Sequence, residues 1–302
     1  MQRKIRKFTA FAVAAIICVV MTACTKLNTK LTLSNLPVID GATAVRPYYE
    51  GVVARMLGVD EQTAKANVLC STTAQAYTNL INGDADIIFA ARPSDEQIEE
   101  AAQNGVEFEY HQILTEGFVF FVNVDNPVDS LTLEQLQGIY RGDITNWKEV
   151  GGNDEEIVAF QREEGSGSQT GLYQFVLPRE EVMKAPESYY FTTMGHIVKA
   201  FGNAEYDNGI NAIGYSYYYY VVNMETNDNL KLIRIDGIEP SKETIGAGTY
   251  PFCNPVVAVV RKGTDSDSKV YTIIDWIMSK KGEKLADELG YVANRSGGNT
   301  ER

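Results

Sequence analysis

Short apolar runs alternate with stretches of helical periodicity along most of the chain. Nearly continuous apolar runs at residues 85–91, 117–124 and 254–260 predict buried strands, because strands covered on both faces lose the polar alternation of surface strands. Residues 270–277 instead carry valine and isoleucine at i, i+3, i+4 and i+7, the spacing of an amphipathic helix. The alternation of such strands and helices predicts an α/β fold, and the chain length suggests two lobes.

Hydroxyl side chains stand at three predicted junctions where a strand passes into a helix. These are Thr43, residues 71–73 and residues 166–168. In open α/β sheets the carboxyl ends of the strands gather at one edge, and ligands bind there. A single such junction is weak support for a site. Three of them together predict a shared ligand-binding edge.

The third junction has the composition of an oxyanion receptor. Arg162 follows a short apolar strand, and Ser166, Gly167 and Ser168 lead directly into a predicted amphipathic helix. A helix N-terminus presents unpaired N–H groups and a partial positive charge, and an arginine fork matches two oxygens of a tetrahedral anion. Two other interpretations stay open: a serine-capped helix after a glycine turn, and a structural ion pair between Arg162 and Glu164.

The N-terminal segment has the pattern of a bacterial lipoprotein signal. Residues 1–23 combine four cations with an apolar run too short to span a bilayer, and they end in small residues before Cys24. This predicts cleavage before Cys24, lipidation of that cysteine and a tether over residues 24–34. The protein is then extracytoplasmic and anchored to the cell membrane by lipid alone. An uncleaved signal and cleavage without lipidation are the alternatives.

The charge of the chain narrows the range of partners. The formal net charge is −13, and loss of the four cations of residues 1–23 changes it to −17. Nucleic acids and anionic membranes are therefore poor partners. The same field repels small anions, so any anion site has to act through short-range, desolvated donors. We expect Cys70 and Cys253 to be free thiols, with a disulfide between them as the alternative.

Motifs for catalysis or metal binding are missing from the sequence. The chain has two histidines, His111 and His196, and lacks a His-Glu-x-x-His motif and a cysteine cluster with metal-ligand spacing. The segment around Ser166 matches neither the Gly-x-Ser-x-Gly elbow nor a phosphate-binding loop with lysine. We therefore expect a protein that is not an enzyme and uses no metal or cofactor. The tyrosines at 217–220 are expected to pack in a strand with solvated hydroxyl ends.

Several motifs, in a fixed order, resemble those of a known family. The two most specific are Ile-Thr-Asn-Trp at residues 144–147 and Arg-x-x-Gly-Ser-Gly-Ser at residues 162–168. The other matching segments are 40–43, 83–87 with 91–93, 126–128 with 131–132, 142–143, 213–215 and 290–292. Together they resemble the phosphate-binding receptors of bacterial ABC importers, in the type II periplasmic-binding-protein superfamily, over nearly the whole chain that follows the signal.

This resemblance implies a two-lobed fold that closes around an anion. Each lobe is expected to be a mixed sheet flanked by helices, and two crossover strands form the hinge. By matching, residues 35–120 and 254–302 form lobe I, and residues 121–253 form lobe II. The implied partners are inorganic phosphate and an ABC permease of the cytoplasmic membrane, and the resembling proteins are usually monomers.

The resemblance also implies a set of ligand-binding residues. The expected donors are Thr43, Thr72, Thr73, Arg162, Ser166, Gly167 and Ser168. Glu164 is expected to accept the proton of hydrogen phosphate, whereas sulfate carries no such proton and would leave that carboxylate unpaired and repelled. Arg92 is a further candidate, because its charge would compensate for the acid or serine that the family has where this chain has Ala91; the alternative is that Arg92 only ties the lobes together.

The chain departs from the family pattern in two loops. Ala42 and Ala44 stand where hydroxyl residues are frequent, and residues 71–74 replace a glycine-rich loop. Phosphate is therefore the first prediction, and a receptor for sulfate, molybdate or tungstate is the second. The third is a surface interaction or signalling module whose cleft no longer binds a ligand.

Overall fold

The computed structural model of the chain describes residues 30–294 and 300–301. The expected signal peptide, the lipidation site Cys24 and most of the tether lie outside these residues. The part of the tether that is described is folded, with a 3-10 helix at Leu33–Asn35. Leu31 is buried among the apolar side chains of the first lobe and is thus part of the folded body.

Strands and helices alternate through the described chain. The strands are β1 Ile39–Gly41, β2 Ile87–Ala91, β3 Phe108–Asn123, β4 Ser130–Leu131, β5 Val158–Ala159, β6 Gln161–Arg162, β7 Tyr190–Phe191, β8 Ala212–Tyr217, β9 Leu230–Leu232, β10 Arg234–Ile235, β11 Cys253–Arg261, β12 Val292–Ala293 and β13 Thr300–Glu301. The α-helices are α1 Arg46–Leu57, α2 Glu61–Ala66, α3 Thr72–Asn82, α4 Asp95–Gln103, α5 Leu133–Arg141, α6 Gly167–Phe175, α7 Met194–Lys199, α8 Lys242–Gly246, α9 Lys269–Ile277 and α10 Lys280–Leu289.

The first lobe, lobe I, is built on a mixed sheet with the strand order β1-β2-β11-β3. β1 and β2 run parallel, whereas β11 is antiparallel to both β2 and β3. Helices α1, α3, α9 and α10 turn apolar faces to this sheet. The resulting core contains Tyr49, Phe89 and Val257, all completely buried. Burial of such a side chain stabilises the fold by about 1.5–3 kcal/mol.

The second lobe, lobe II, is built on the continuation of β3, with the strand order β3-β8-β5. β8 is antiparallel to β3 and parallel to β5, so this sheet is also mixed. Its core is rich in aromatic rings, among them Phe118, Phe120 and Tyr215, whose ring centroids lie 5.4–5.9 Å apart. Trp147 is buried beside them and donates its Nε1–H to the Asn211 carbonyl at 3.0 Å.

β3 crosses from one lobe to the other without a break. Its first part pairs with β11, up to Gly117, and Phe118 begins the pairing with β8. The chain returns at the start of β11, where the Phe118 N–H donates to the Phe252 carbonyl at 2.8 Å. A side chain at Gly117 would meet Ile245 Cδ1 at 2.4 Å, so any other residue at the crossing would force Ile245 to move. The α/β fold with two mixed sheets and two crossover strands is therefore confirmed.

The expected strand at residues 117–124 is longer in the structure than the sequence predicted. β3 begins at Phe108 and has 16 residues. Residues 108–112 are half-buried for the most part and mix polar with apolar side chains, so their pattern lacks the continuous apolar run of a doubly covered strand. The helix predicted at residues 270–277 is α9 and is confirmed.

Two further expectations concern the membrane and the thiols. None of the helices within residues 30–294 has the length and apolar character needed to cross a bilayer. Cys70 and Cys253 are free thiols, as expected, although both are partly exposed rather than buried. The disulfide that was the alternative is therefore not formed in this structure.

Candidate functional site

A cavity of about 380 Å³ lies between the two lobes. Lobe I lines it with residues 42–45, residues 72–74 and Ala91. Lobe II lines it with residues of the 162–168 loop and with most of residues 192–199. The crossover strands and the ends next to them contribute the remaining wall, including Glu116, Tyr217, Asn254 and Val256. The predicted ligand-binding edge of the sheets is thus a cleft that both lobes line.

Arg162 lies at the lobe II wall and is held by backbone carbonyls. Its side chain is 6% exposed; Nε donates to the Phe191 carbonyl at 2.8 Å and one terminal nitrogen donates to the Thr192 carbonyl at 3.1 Å. Among the described residues, no carboxylate lies within ion-pair distance of this guanidinium. Burial lowers the pKa of Arg162, but an arginine keeps its charge at neutral pH. A buried, fixed cation without an acidic partner is a candidate anion-binding group.

The N-terminus of α6 lies beside this arginine. Ser166 caps the helix, because its Oγ accepts the Gln169 N–H at 3.2 Å, and its own hydroxyl proton stays available to donate. The N–H groups of Gly167 and Ser168 open the helix and have no intrahelical partner. Ser168 is 1% exposed, and its buried Oγ makes no hydrogen bond within the described residues. The helix-cap interpretation and the anion-site interpretation are therefore compatible.

Two tyrosines hold this loop in place from β8. The Tyr215 hydroxyl accepts the Arg162 backbone N–H at 2.9 Å and donates to the Gln169 side chain. The Tyr217 hydroxyl donates to the Gly167 carbonyl at 2.9 Å and accepts from Asn254 Nδ2 at 2.9 Å. The expectation that the tyrosine run packs in a strand with solvated hydroxyl ends is wrong in two respects. The Tyr217 hydroxyl ties the loop to the crossover strand, and β8 ends at Tyr217, so Tyr218 and Tyr219 are helical.

Lobe I places three threonines at the opposite wall. Thr43 begins a 3-10 turn that leads into α1, and Thr72 and Thr73 begin α3. Thr73 is buried and faces lobe II so closely that a methyl group built on Gly167 would lie 2.7 Å from its Oγ1. Thr72 is exposed, with a backbone φ of 75°, a left-handed conformation that strains a β-branched residue.

A buried aspartate that the sequence analysis missed organises these lobe I loops. Asp40 is fully buried at the end of β1, and its Oδ1 accepts the N–H groups of Gly41 at 2.7 Å and Ser71 at 2.9 Å. Its Oδ2 accepts from Asn79 Nδ2 at 2.7 Å. One carboxylate therefore fixes the first loop against the start of α3. The feature of the sequence that could have revealed Asp40 is a lone acid at the end of an apolar run.

The structure places two predicted site residues differently from the expectation. Arg92 is not among the residues that line the cavity; its guanidinium lies 5.0 Å from the ring centroid of Tyr110 on β3, which β11 separates from β2. The side chain of Glu164 is 57% exposed at the rim of the cavity. It accepts the Tyr173 hydroxyl at 2.7 Å and pairs with Arg179 at 3.3 Å. The proposed Arg162–Glu164 ion pair does not form, because Glu164 pairs with Arg179 instead.

The carboxylate that the cavity encloses belongs to Glu116, which the sequence analysis did not select. Glu116 is 6% exposed on β3 and lines the cavity. Burial raises the pKa of its carboxyl group to about 7, against the opposing effect of two backbone N–H donors. A signal was present, because an acid immediately before the apolar run at 117–124 is unusual in a buried strand.

The outer part of the cavity carries mixed charges. His196 and Lys199 of α7 line it, and Lys199 pairs with Glu225 at 3.3 Å. Within residues 30–294, no group of three histidine, cysteine or acidic side chains is arranged to hold a metal ion. The chemistry available at the cleft is thus hydrogen bonding to an oxyanion, with one buried cation and one buried acid.

Several known proteins with a similar sequence or fold are named for phosphate binding or phosphate transport. The phosphate-binding protein PstS of Staphylococcus aureus (strain USA300) is 28% identical over 264 residues, which cover 84% of this chain and 77% of that protein. A phosphate-bound crystal structure from Clostridium perfringens, assigned as a phosphate ABC transporter substrate-binding protein, has a TM-score of 0.67 at 28% identity. The match covers 86% of this chain and 99% of that one.

A second solved structure and a family profile agree with these matches. An ABC-type phosphate transport receptor from Vibrio cholerae has a TM-score of 0.63 at 26% identity and covers 85% of this chain and 99% of that one. The profile of the PBP superfamily domain matches residues 34–281, most of the described chain. The resemblance drawn from the sequence motifs is thereby confirmed. This chain belongs to the PBP superfamily, and its two lobes have the periplasmic-binding-protein fold.

Proposed function

We propose that the protein is an extracytoplasmic receptor that binds inorganic phosphate between its lobes and delivers it to an ABC importer. The observation that carries the proposal is that Arg162 and Ser168 both line the cavity from lobe II. Arg162 is a buried cation with no carboxylate partner among the described residues, and Ser168 has a buried hydroxyl without a hydrogen bond. A buried charge without a countercharge and a buried hydroxyl without a hydrogen bond both cost free energy in the unliganded protein, and an oxyanion satisfies both at once.

The proposed ligand contacts come from both lobes. In lobe II, Arg162 and the hydroxyl groups of Ser166 and Ser168 donate to the anion, together with the backbone at Gly167. In lobe I, Thr43 and Thr73 donate from the facing wall. Thr72 is a weaker candidate than Thr73, because its side chain is exposed. Glu164 is proposed as a contact at the rim only, and Arg92 is left out because it does not line the cavity.

The names of the relatives support binding and transport rather than catalysis. The Staphylococcus aureus protein is a phosphate-binding protein, and the Clostridium perfringens structure contains phosphate. Its assignment to an ABC transporter supports a permease partner for this chain. The remaining proposals rest on the sequence alone: signal cleavage after residue 23, lipidation of Cys24, a monomeric state, and lobe bounds of 35–120 with 254–302 and 121–253.

Isothermal titration with three anions tests the proposal. The chain from residue 25 onward is stripped of bound anion by partial unfolding and dialysis, refolded, and titrated with phosphate, sulfate and molybdate. Selective binding of phosphate is the expected result. Preference for sulfate or molybdate would replace phosphate with another oxyanion, and no heat with any of the three would contradict the receptor function.

A further inference from the structure

Glu116 lies where the two lobes meet the cavity. It precedes Gly117, at which β3 passes from lobe I to lobe II, and it pairs in register with Asn254 of β11. Tyr217, which holds the Gly167 carbonyl, donates from the next strand and also accepts from Asn254. Glu116 is therefore part of the same cavity wall as residues 162–168, and it lies behind the opening of the cavity rather than at it.

The two oxygens of the Glu116 carboxyl group have different surroundings. Oε1 accepts the N–H groups of Gly117 at 3.0 Å and Tyr219 at 3.1 Å. Oε2 accepts no hydrogen bond from the residues that the structure describes, and no lysine or arginine in that set forms an ion pair with it. A carboxyl oxygen of a buried residue that faces the cavity without a protein partner is expected to bind a ligand group.

The tyrosines around Glu116 do not titrate near neutral pH. The hydroxyl groups that interact with it electrostatically belong to Tyr217, Tyr218, Tyr219 and Tyr291, and burial raises the pKa of each, so all four stay neutral. The other ionisable residues lining the cavity are Arg162, Glu163, Glu164, His196, Lys199, Tyr220 and Glu225.

We propose that Glu116 is the residue that distinguishes a proton-bearing oxyanion from a fully ionised one. Its Oε2 accepts a hydrogen bond from the proton of hydrogen phosphate, while Oε1 stays held by the two backbone N–H groups. Sulfate offers no proton, so an ionised Glu116 repels it. This inference rests on the proposed phosphate-receptor function and moves the selectivity role from Glu164, whose oxygens already bind Tyr173 and Arg179, to Glu116.

The proposal predicts a pH dependence that differs between anions. Below about pH 7, Glu116 is protonated and can donate to an oxygen of sulfate. Above that pH it is ionised, so sulfate has to bind together with a proton. The affinity for sulfate should then fall by up to roughly tenfold per pH unit. The affinity for phosphate should change much less, because hydrogen phosphate brings its own proton.

The test compares Glu116→Gln with Glu109→Gln by isothermal titration at pH 6 and pH 8. Glutamine keeps a carbonyl oxygen for the Gly117 and Tyr219 N–H groups, and its amide group donates where the carboxylate accepted. Glu109 lies on the same strand, pairs with His111 and does not line the cavity. Its substitution removes the same charge from the field of the protein, so it controls for long-range electrostatics.

The expected result is that Glu116→Gln lowers the preference for phosphate over sulfate at pH 8 by roughly ten- to a hundredfold, and Glu109→Gln keeps it. The variant should also bind sulfate equally at pH 6 and pH 8. An unchanged preference in Glu116→Gln would overturn the proposal while the receptor function stands. A wild-type protein that binds neither phosphate nor sulfate would overturn both.

A measurement on the wild-type protein decides the matter if the variant does not fold. Titration of sulfate near pH 7.5 in two buffers with different ionisation enthalpies gives the number of protons taken up on binding. The proposal expects net uptake toward about one proton per site as the pH rises, and little uptake with phosphate. Sulfate binding that takes up no proton at any pH from 6 to 8.5 would overturn it.

Discussion

The two walls of the cleft are built in different ways. The lobe II wall is supported by fixed contacts: carbonyls hold Arg162, Ser166 caps α6, and tyrosines of β8 bind the loop backbone. The lobe I wall has Thr43 at a short turn and a strained Thr72, with alanines at 42, 44 and 91. The difference indicates that lobe II supplies the charge and most of the donors, whereas lobe I completes the site when it faces lobe II.

The largest effect is expected from Arg162→Ala. The variant loses the buried cation of the lobe II wall, so phosphate binding should weaken by about 2–4 kcal/mol. The free energy of unfolding should change by no more than about 1–2 kcal/mol, because two hydrogen bonds to carbonyls are lost while an unpaired buried charge is removed. Titration calorimetry and urea unfolding measure the two quantities.

Arg261→Ala is the matched control for that variant. Arg261 also donates to backbone carbonyls, those of Leu80 at 2.7 Å and Ala85 at 2.6 Å, but it does not line the cavity. This variant should lose stability and keep its phosphate affinity. If Arg162→Ala bound phosphate as tightly as Arg261→Ala does, the cation of the lobe II wall would not be a ligand.

Ser168→Ala is expected to have the next largest effect. Its hydroxyl is a donor to a charged acceptor in our account, so affinity should fall by about 1.5–3 kcal/mol while stability stays the same or rises. Ser216→Ala offers the control, because Ser216 also has a buried hydroxyl without a partner in the described chain and lies outside the cavity. Equal affinities of the two variants would remove Ser168 from the site.

A smaller loss is expected from Thr73→Ala on the lobe I wall. The Thr73 hydroxyl also donates to the anion in our account, but only when the closed cleft brings it against Gly167, so its loss should cost less than that of the Ser168 hydroxyl, on the order of 1 kcal/mol of binding. Thr78→Ala, on the same helix but bonded to Glu100 outside the cavity, should not alter binding. A loss for Thr73→Ala as large as that for Arg162→Ala would reverse our comparison of the two walls.

Thr72→Gly should have the smallest effect on binding and a favourable one on stability. Glycine adopts the φ of 75° without the strain of a β-branched side chain, and we expect a gain of about 1 kcal/mol in the free energy of unfolding. Phosphate affinity should change less than in Thr73→Ala, because the Thr72 side chain is exposed. Denaturant unfolding together with titration checks both; a loss of stability would contradict the strain.

The parts of the molecule that the sequence predicted are those encoded by contiguous residues. Arg162, Ser166, Gly167 and Ser168 lie within seven positions of one another, so a strand, a turn and a helix cap bring them together locally. Their assignment as ligands stays a prediction, while the structure brings all four to one cavity wall. The fold could also be predicted from the sequence, because apolar runs and helical spacing report local burial.

The parts that the sequence did not predict depend on contacts between distant segments. Glu116 enters the cavity because β3 crosses both lobes, and the apolar pattern of residues 117–124 does not reveal that β3 extends back to Phe108. Arg92 turns to the ring of Tyr110, a partner 18 positions away, and Glu164 turns to Arg179. The charge of a side chain was visible in the sequence, but its direction was decided by tertiary packing.

A crystal structure of the protein grown with phosphate tests the central claim most directly. Our account predicts phosphate in the cleft, with oxygens within hydrogen-bond distance of the Arg162 guanidinium, the Ser168 hydroxyl and the N–H groups that open α6, and with Thr73 on the opposite side. Phosphate bound away from Arg162 and Ser168, or an unliganded cleft at saturating phosphate, would contradict it.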